Sequence, residues 1–250
     1  MTAHTLLVEL FVEELPPKAL KKLGEAFAGN LAASLHSQGL AAADAAVAAF
    51  ASPRRLAVQV RGVVSKAADR AVQQKLMPVT VALAADGQPT PALLKKLASL
   101  GADASVVPQL KRAPDGKAEA LFLDSLVPGA TLAEGLQKAL DETLAKLPIP
   151  KVMTYQLADG WSDVRFVRPA HGLVALHGRD VVPVSVLGLK AGRTTRGHRF
   201  EAATPELTLA DADGYAEQIA SQGAVISGFA ERRAEIVRQL GAAAPAGLKP

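Results

Sequence analysis

Between Val164 and Phe200 four apolar runs follow one another too closely for helices to fit between them: Val164 to Val167, Leu173 to Leu176, Val181 to Leu187 and Thr194 to Phe200. Parallel neighbours in one sheet need a crossover of a dozen or more residues, so this spacing, with its valine and phenylalanine content and interspersed glycine and proline, selects antiparallel pairing. Two further strands are read near the start. Val47 to Ala51 and Leu56 to Val60 are joined at Ser52-Pro53-Arg54-Arg55. By the two-residue period of a strand, Leu56, Val58 and Val60 share one face while Arg55, Ala57, Gln59 and Arg61 share the other, which predicts one core face and one polar face.

Helical periodicity surrounds these strands. Leu6 to Val12 reads as a buried strand, and Pro16-Pro17 stops it and opens a helix with Leu20, Leu23, Phe27, Leu31 and Leu35 on one stripe and Gly39 as its stop. Glu13 and Glu14 precede that helix, where the positive end of the macrodipole favours carboxylates. Ala84 to Pro89 is a turn cluster followed by a helix near Pro91 to Leu100 that Gly101 ends; Ala113 to Lys117 is a second turn, leading to a strand through Leu121 and Leu123. Both read as loops within a domain rather than linkers. Thr131 and Glu134 form a capping box for a helix carrying Leu132, Leu136, Leu140 and Leu144, closed by Pro148 and Pro150. Two helices finish the chain, near Ala212 to Ser221 and Gly228 to Leu240. Ser227 is the expected N-cap of the last, with Phe229, Ile236, Val237 and Leu240 as its inner stripe. The pattern as a whole is α+β: mixed, mainly antiparallel sheets with packed helices.

The chain of 250 residues is 49% hydrophobic, enough to build a substantial core. Zero cysteines remove disulfides, thiolate metal sites and cysteine nucleophiles, and fit a reducing compartment. His4, His36, His171, His177 and His198 show no i, i+4 pairing with an acidic partner, so no metal site is expected. His171 and His177 flank an apolar strand, where a satisfied structural histidine is the commoner role. Glu9, Glu13 and Glu14 interrupt the first apolar stretch, which cannot be a signal core or a membrane span, and no other run reaches spanning length. A soluble, cytoplasmic protein with no membrane partner is the expectation.

The formal net charge of +4 has a local origin. From Lys190 to Arg199 there are four cations, Lys190, Arg193, Arg196 and Arg199, and no acid; 4 − 4 = 0, so the rest of the chain sums to neutrality. Glycine lets a backbone approach a ligand closely and the guanidinium fork suits phosphate oxygens, so Gly192 to Phe200 reads either as a polyanion contact or as a solvated, turn-rich loop. A continuous strand would split these cations between two faces. A turn at Gly197 would instead gather Arg196, His198 and Arg199 on one surface. Lys151, Arg165 and Arg168 extend the basic character upstream, and Arg54 with Arg55, just after a proline, either meets phosphate or flanks a solvated edge. No chemistry accompanies this charge. The glycines at 188 and 192 are too close for a phosphate-binding loop, no G-x-G-x-x-G follows a strand, no G-x-S-x-G elbow is present, and no spacing singles out two acids.

Six ordered blocks carry a resemblance: Leu6-Leu7-Val8-Glu9, Glu13 to Leu20, Ser52 to Val58, Leu147 to Met153, Phe166 to His171, and Gly192 to Phe200. Together they resemble the N-terminal portion of the β subunit of bacterial glycyl-tRNA synthetase, and Ala230-Glu231-Arg232-Arg233 also fits. Phe11-Val12 and Tyr155 depart from the family pattern. The resemblance implies one α+β region over residues 1–250, similar to the editing-type tRNA-contacting domain of the phenylalanyl-tRNA synthetase β chain. The HD-type and anticodon-binding regions of the family are not visible, so a piece incomplete at its C-terminal end is expected. The resemblance further implies an α2β2 glycine–tRNA ligase in which the α subunit carries the chemistry, with ATP and Mg2+ at its site. This chain is expected to bind no cofactor and to have no catalytic residue of its own, contributing tRNA-Gly binding and assembly with the α subunit. The residues expected to meet tRNA or the partner are Arg193, Arg196, His198, Arg199 and Lys190, with Arg168, Arg54 and Arg55. An assembly module without RNA contact is the alternative, and an editing-type deacylase a weaker one.

Overall fold

The structure is a computed structural model that describes residues 2–84, 86–116 and 118–245. Although neither loop reads as a linker, the chain divides into two compact units, Met1–Ala67 with Ala130–Pro250 and Ala68–Gly129. The first unit begins with β1 (Ala3–Val12), α1 (Pro17–Ser37), β2 (Val47–Ser52) and β3 (Arg55–Val64). The second contains β4 (Arg70–Pro78), α2 (Val79–Ala82), α3 (Pro91–Ser99), a 3-10 turn at Ala104–Gln109, β5 (Lys111–Asp115) and β6 (Ala118–Val127). Its strands lie antiparallel in the order β4-β6-β5, around a small core of Ala82, Leu93, Leu97, Leu121 and Leu123. Gly101 ends α3 with φ +73° as read from the sequence, whereas the 113–117 turn narrows to Gly116 because residues up to Asp115 pair in β5. Ala85 and Lys117, within the two turn clusters, lie outside the described residues.

The first unit resumes with α4 (Leu132–Lys146), β7 (Met153–Gln156), β8 (Asp163–Phe166), β9 (Ala170–His177), β10 (Asp180–Val181), α5 (Tyr215–Ser221) and α6 (Phe229–Ala243). Its main sheet has the order β10-β9-β1-β3-β2 and is antiparallel throughout. β7 and β8 form a separate hairpin. The capping box forms as expected, Thr131 accepting from the Glu134 amide while the Glu134 carboxylate accepts from the Thr131 amide. Leu20, Leu23, Phe27, Leu31 and Leu35 of α1 are buried together with Leu132, Leu136 and Leu140 of α4, and both helices join the core formed by Leu6, Val8, Leu10, Leu56 and Val58. Each such side chain contributes roughly 1.5–3 kcal/mol by leaving water.

The opposite face of the sheet departs from expectation. Rather than meeting solvent, Leu7, Phe50, Ala57, Val174 and Leu176 pack on Leu207, Leu209, Ala212, Tyr215 and Ile219 in a second core. The sheet is therefore covered on both faces, and β1 is buried from Leu6 through Val12. The run from Val181 to Leu187 is not one strand. It breaks after β10, near Pro183, and Ser185–Val186 then folds back onto Leu189–Lys190 through Leu187 (φ 53°) and Gly188 (φ 76°). Positive φ at both central positions is the geometry that matches the twist of a tight hairpin. Of Thr194 to Phe200 only Thr194–Thr195 is extended, paired with Leu207–Thr208. Ser227 does not cap α6; Gly228 occupies that position, and Ser227 is buried with its carbonyl accepting from Ala51 N at 3.1 Å. The expected inner stripe of α6 is not buried either: Ile236, Val237 and Leu240 are each more than half exposed.

α1 and β2 approach closely at Gly24, where an added Cβ would lie 2.6 Å from Ala51 Cβ. Helix propensity favours alanine there by about 1 kcal/mol, yet both neighbours are backbone-anchored and cannot rotate away. We expect Gly24→Ala to destabilise by about 1–3 kcal/mol in urea unfolding, and Ala51→Gly in the same chain to recover part of that loss. Additive effects of the two substitutions would contradict the contact.

Candidate functional site

One acid in the first strand organises the region around the basic motif. Glu9 is fully buried on β1, where a carboxylate is costly unless its oxygens are bonded. Oε1 accepts from Thr195 Oγ1 and Oε2 from the Tyr215 hydroxyl, while Arg55 Nη1 stands 3.8 Å from Oε2. Arg55, only 1% exposed, donates through Nη2 to the carbonyl of Arg196. Among the described residues its Nη1 and Nε find no hydrogen-bond partner. Arg55 thus neither meets solvent nor flanks an edge. It is an internal cation that ties β3 to the basic motif.

The motif itself divides its residues between structure and surface. The backbone of Gly192 bonds to β9, its N–H donating to Leu173 O at 3.0 Å and its carbonyl accepting from Ala175 N at 3.3 Å. Gly197 is required by a close approach: a Cβ there would lie 2.7 Å from both Gly223 Cα and Gly223 O, and His198 N donates to that same oxygen at 2.6 Å. Gly197 therefore serves a contact within the protein, whereas nothing lies within 4 Å of a Cβ placed at Gly192. Arg193 is committed too, with Nη2 donating to Arg179 O at 2.6 Å and Nη1 to Leu209 O at 3.5 Å. Lys190 is exposed on its short ladder and lines neither of the two clefts that the turn borders.

Beyond Gly197 the chain turns, and His198, Arg199 and Phe200 project together. His198 Nδ1 accepts from Phe200 N at 3.3 Å and Glu201 N at 3.2 Å, which leaves Nε2 as the outward ring nitrogen. Phe200 is 82% exposed. These three residues form one wall of a cleft of about 720 Å³, whose other walls include Phe11, Pro53, Arg54, Val225, Ile226 and Arg232. A neighbouring cleft of about 480 Å³ is bounded by Glu13, Glu14, Pro53, Arg168 and Arg199, so Arg199 borders both. The fold brings Arg54, Arg168, His198 and Arg199 to this surface. Arg196 is exposed but does not line either cleft.

Two of these cations are already engaged. Arg54 Nη2 lies 3.3 Å from Glu13 Oε1 with its guanidinium 4.8 Å from the Phe11 ring centroid, and His171 Nε2 reaches the same Glu13 oxygen at 2.9 Å. Glu13 accordingly answers Arg54 and His171, and no acid occupies the first turn of α1. Arg168 donates through Nε to Glu14 O at 3.0 Å. His177 is buried with Nε2 2.7 Å from Val63 O, a structural histidine. Sequence reading missed Glu9, Tyr215 and the presentation of Phe200. The one available signal was a lone acid in an otherwise apolar strand. Among the described residues no group of three or more His, Cys, Asp or Glu could hold a metal ion, and no helix is long and apolar enough to cross a membrane.

Burial, and next the Glu9 carboxylate, push the Tyr215 hydroxyl well above its ordinary value. The native state then keeps a proton that the unfolded chain releases near pH 10, so stability falls as pH rises through about 10. We expect urea unfolding to show this decline in the wild-type chain and a flatter one in Tyr215→Phe. Parallel curves for the two would contradict the buried phenol.

Residues 6–250 match the family model described as glycyl-tRNA synthetase beta subunit. The chain is 76% identical to the glycine–tRNA ligase beta subunit of Leptothrix cholodnii over 100% of its own length and 35% of that relative. It is 67% identical to that of Paracidovorax citrulli, over 100% of the chain and 37% of the relative, and 66% identical to that of a Janthinobacterium species, over 98% and 35%. The chain thus spans only 35–37% of the length of these relatives. With the family model covering nearly every residue, this chain belongs to the glycyl-tRNA synthetase beta subunit family.

Proposed function

We propose that this chain acts as a β-subunit segment of a cytoplasmic glycine–tRNA ligase, which joins glycine to tRNA-Gly with conversion of ATP to AMP and diphosphate. In the α2β2 complex the α subunit carries the ATP, Mg2+ and glycine sites, and this segment contributes tRNA binding and assembly. The observation that carries the reading is the turn His198-Arg199-Phe200 with Arg196 beside it. Two exposed arginines stand there that form no ion pair among the described residues. Phosphate contact by such cations is sequence-independent and positions an RNA rather than reading it. Buried charges at Glu9 and Arg55 bind one another and so serve the frame.

The exposed stripe Ile236, Val237 and Leu240 of α6 favours a second contribution, contact with a partner subunit, since apolar helix faces of this kind are normally covered. The two contributions separate experimentally in the complex reconstituted from the α subunit and the complete β subunit. We expect Arg196→Ala with Arg199→Ala to weaken tRNA-Gly binding and to reduce its salt slope by about one unit for each arginine, with the mass of the tetramer unchanged. Unchanged affinity and salt dependence would refute the RNA role. Loss of the tetramer in that double variant would assign the arginines to the subunit interface.

A further inference from the structure

We infer that the cleft beside Phe200 takes an unpaired nucleotide of an RNA strand, its base stacked on the Phe200 ring and its phosphate held at Arg199; this rests on the tRNA-binding reading above. Phe200 is the largest apolar side chain of the basic motif, and it is 82% exposed although an apolar cleft lies beside it. Its position is built. The His198 ring accepts hydrogen bonds from the amides of Phe200 and Glu201 and stands edge-on to the Phe200 ring at 6.2 Å, while the Gly197–Gly223 contact anchors the start of the turn.

The surroundings suit a flat ring joined to an anion. Pro53, Val225 and Ile226 give the cleft an apolar wall, and its volume of about 720 Å³ falls within the ~300–1,000 Å³ of small-ligand clefts. Its charged groups are unequal. Arg55 faces Glu9, Arg54 faces Glu13 and Arg232 donates to the carbonyls of Ile226, Gly228 and Ala51, whereas Arg199 has no ion-pair partner among the described residues, of which Glu14 is the one acid lining the cleft. A free arginine next to an exposed aromatic ring is the arrangement by which proteins hold single strands, a stacked base beside a neutralised phosphate. A paired base inside a duplex presents no face to such a ring. A peptide without an acidic group would use the apolar wall but leave Arg199 without a counter-charge.

The test uses the reconstituted complex and two probes: a single-stranded RNA decamer with one internal 2-aminopurine, and the same strand in a blunt duplex. We expect the single strand to bind more tightly than the duplex and its 2-aminopurine fluorescence to fall on binding. Phe200→Ala should weaken single-strand binding roughly 5- to 100-fold and abolish that change, while Phe200→Trp retains both. Arg196→Ala, outside the cleft, should lower the salt slope and leave the fluorescence change intact. If tRNA-Gly binds with the salt dependence proposed above but Phe200→Ala changes neither affinity nor fluorescence, stacking is overturned and the tRNA reading stands. If neither probe nor tRNA-Gly responds to Phe200→Ala or to Arg196→Ala combined with Arg199→Ala, both readings fall. A Phe200→Ala variant that binds RNA normally but loses the α subunit would identify the cleft as a protein contact instead.

Discussion

The buried carboxylate of Glu9 is the interaction on which the rest of the first unit depends. It joins residues from four parts of the chain: Glu9 on β1, Arg55 on β3, Thr195 in the basic motif and Tyr215 at the start of α5. Removing a carboxylate and a guanidinium from water is costly, and the pair survives inside a core only because hydroxyl donors occupy the remaining acceptor sites. Breaking such an arrangement by removing one partner typically costs about 3–5 kcal/mol, because a charge is then left buried alone. The second core beneath the sheet is therefore a polar clamp surrounded by Leu7, Phe50, Ala57, Leu207 and Ile219. That clamp specifies where the chain from residue 194 onward must run.

The placement of the surface cations follows from the clamp. Arg55 holds the carbonyl of Arg196, and one residue later the Gly197 backbone meets Gly223 with no room for a side chain. Fixing the peptide at those two points forces His198, Arg199 and Phe200 outward together. The arginines of one motif thus play different roles. Arg193 braces the backbone carbonyls of Arg179 and Leu209, and Arg199 is left to solvent at the junction of two clefts. A cluster that looks uniform as charge is heterogeneous in use.

Local signals were legible in the sequence where one element decides its own form. The Thr131 and Glu134 capping box, the apolar stripe of α1, the stop at Gly39 and the two strands joined at Ser52-Pro53-Arg54-Arg55 all follow from spacing and turn chemistry, and all appear in the structure. Features decided by distant segments were not. A two-residue period identifies the second face of β3 but cannot say that residues 207–219 will cover it, so Arg55 reads as a surface cation when it is an internal one. The stripe on α6 fails for the converse reason: its periodicity is real, yet no described segment covers Ile236, Val237 and Leu240. The turn at Gly197 is one of two readings that the sequence offers; what decides for it is Gly223, twenty-six residues away in sequence and in backbone contact.

Amide hydrogen exchange at His198, whose N–H donates to Gly223 O at 2.6 Å, tests most directly whether the buried clamp positions the exposed turn. The comparison is between the wild-type chain and Arg55→Met, which keeps the volume and removes the donor to Arg196 O. The account requires exchange at His198 to rise by about tenfold or more beyond any rise shared by amides in α1 and α4, which report the general loss of stability from the unpaired Glu9. Equal protection at His198 in both chains would contradict it, because the turn would then hold its place without the Arg55 contact.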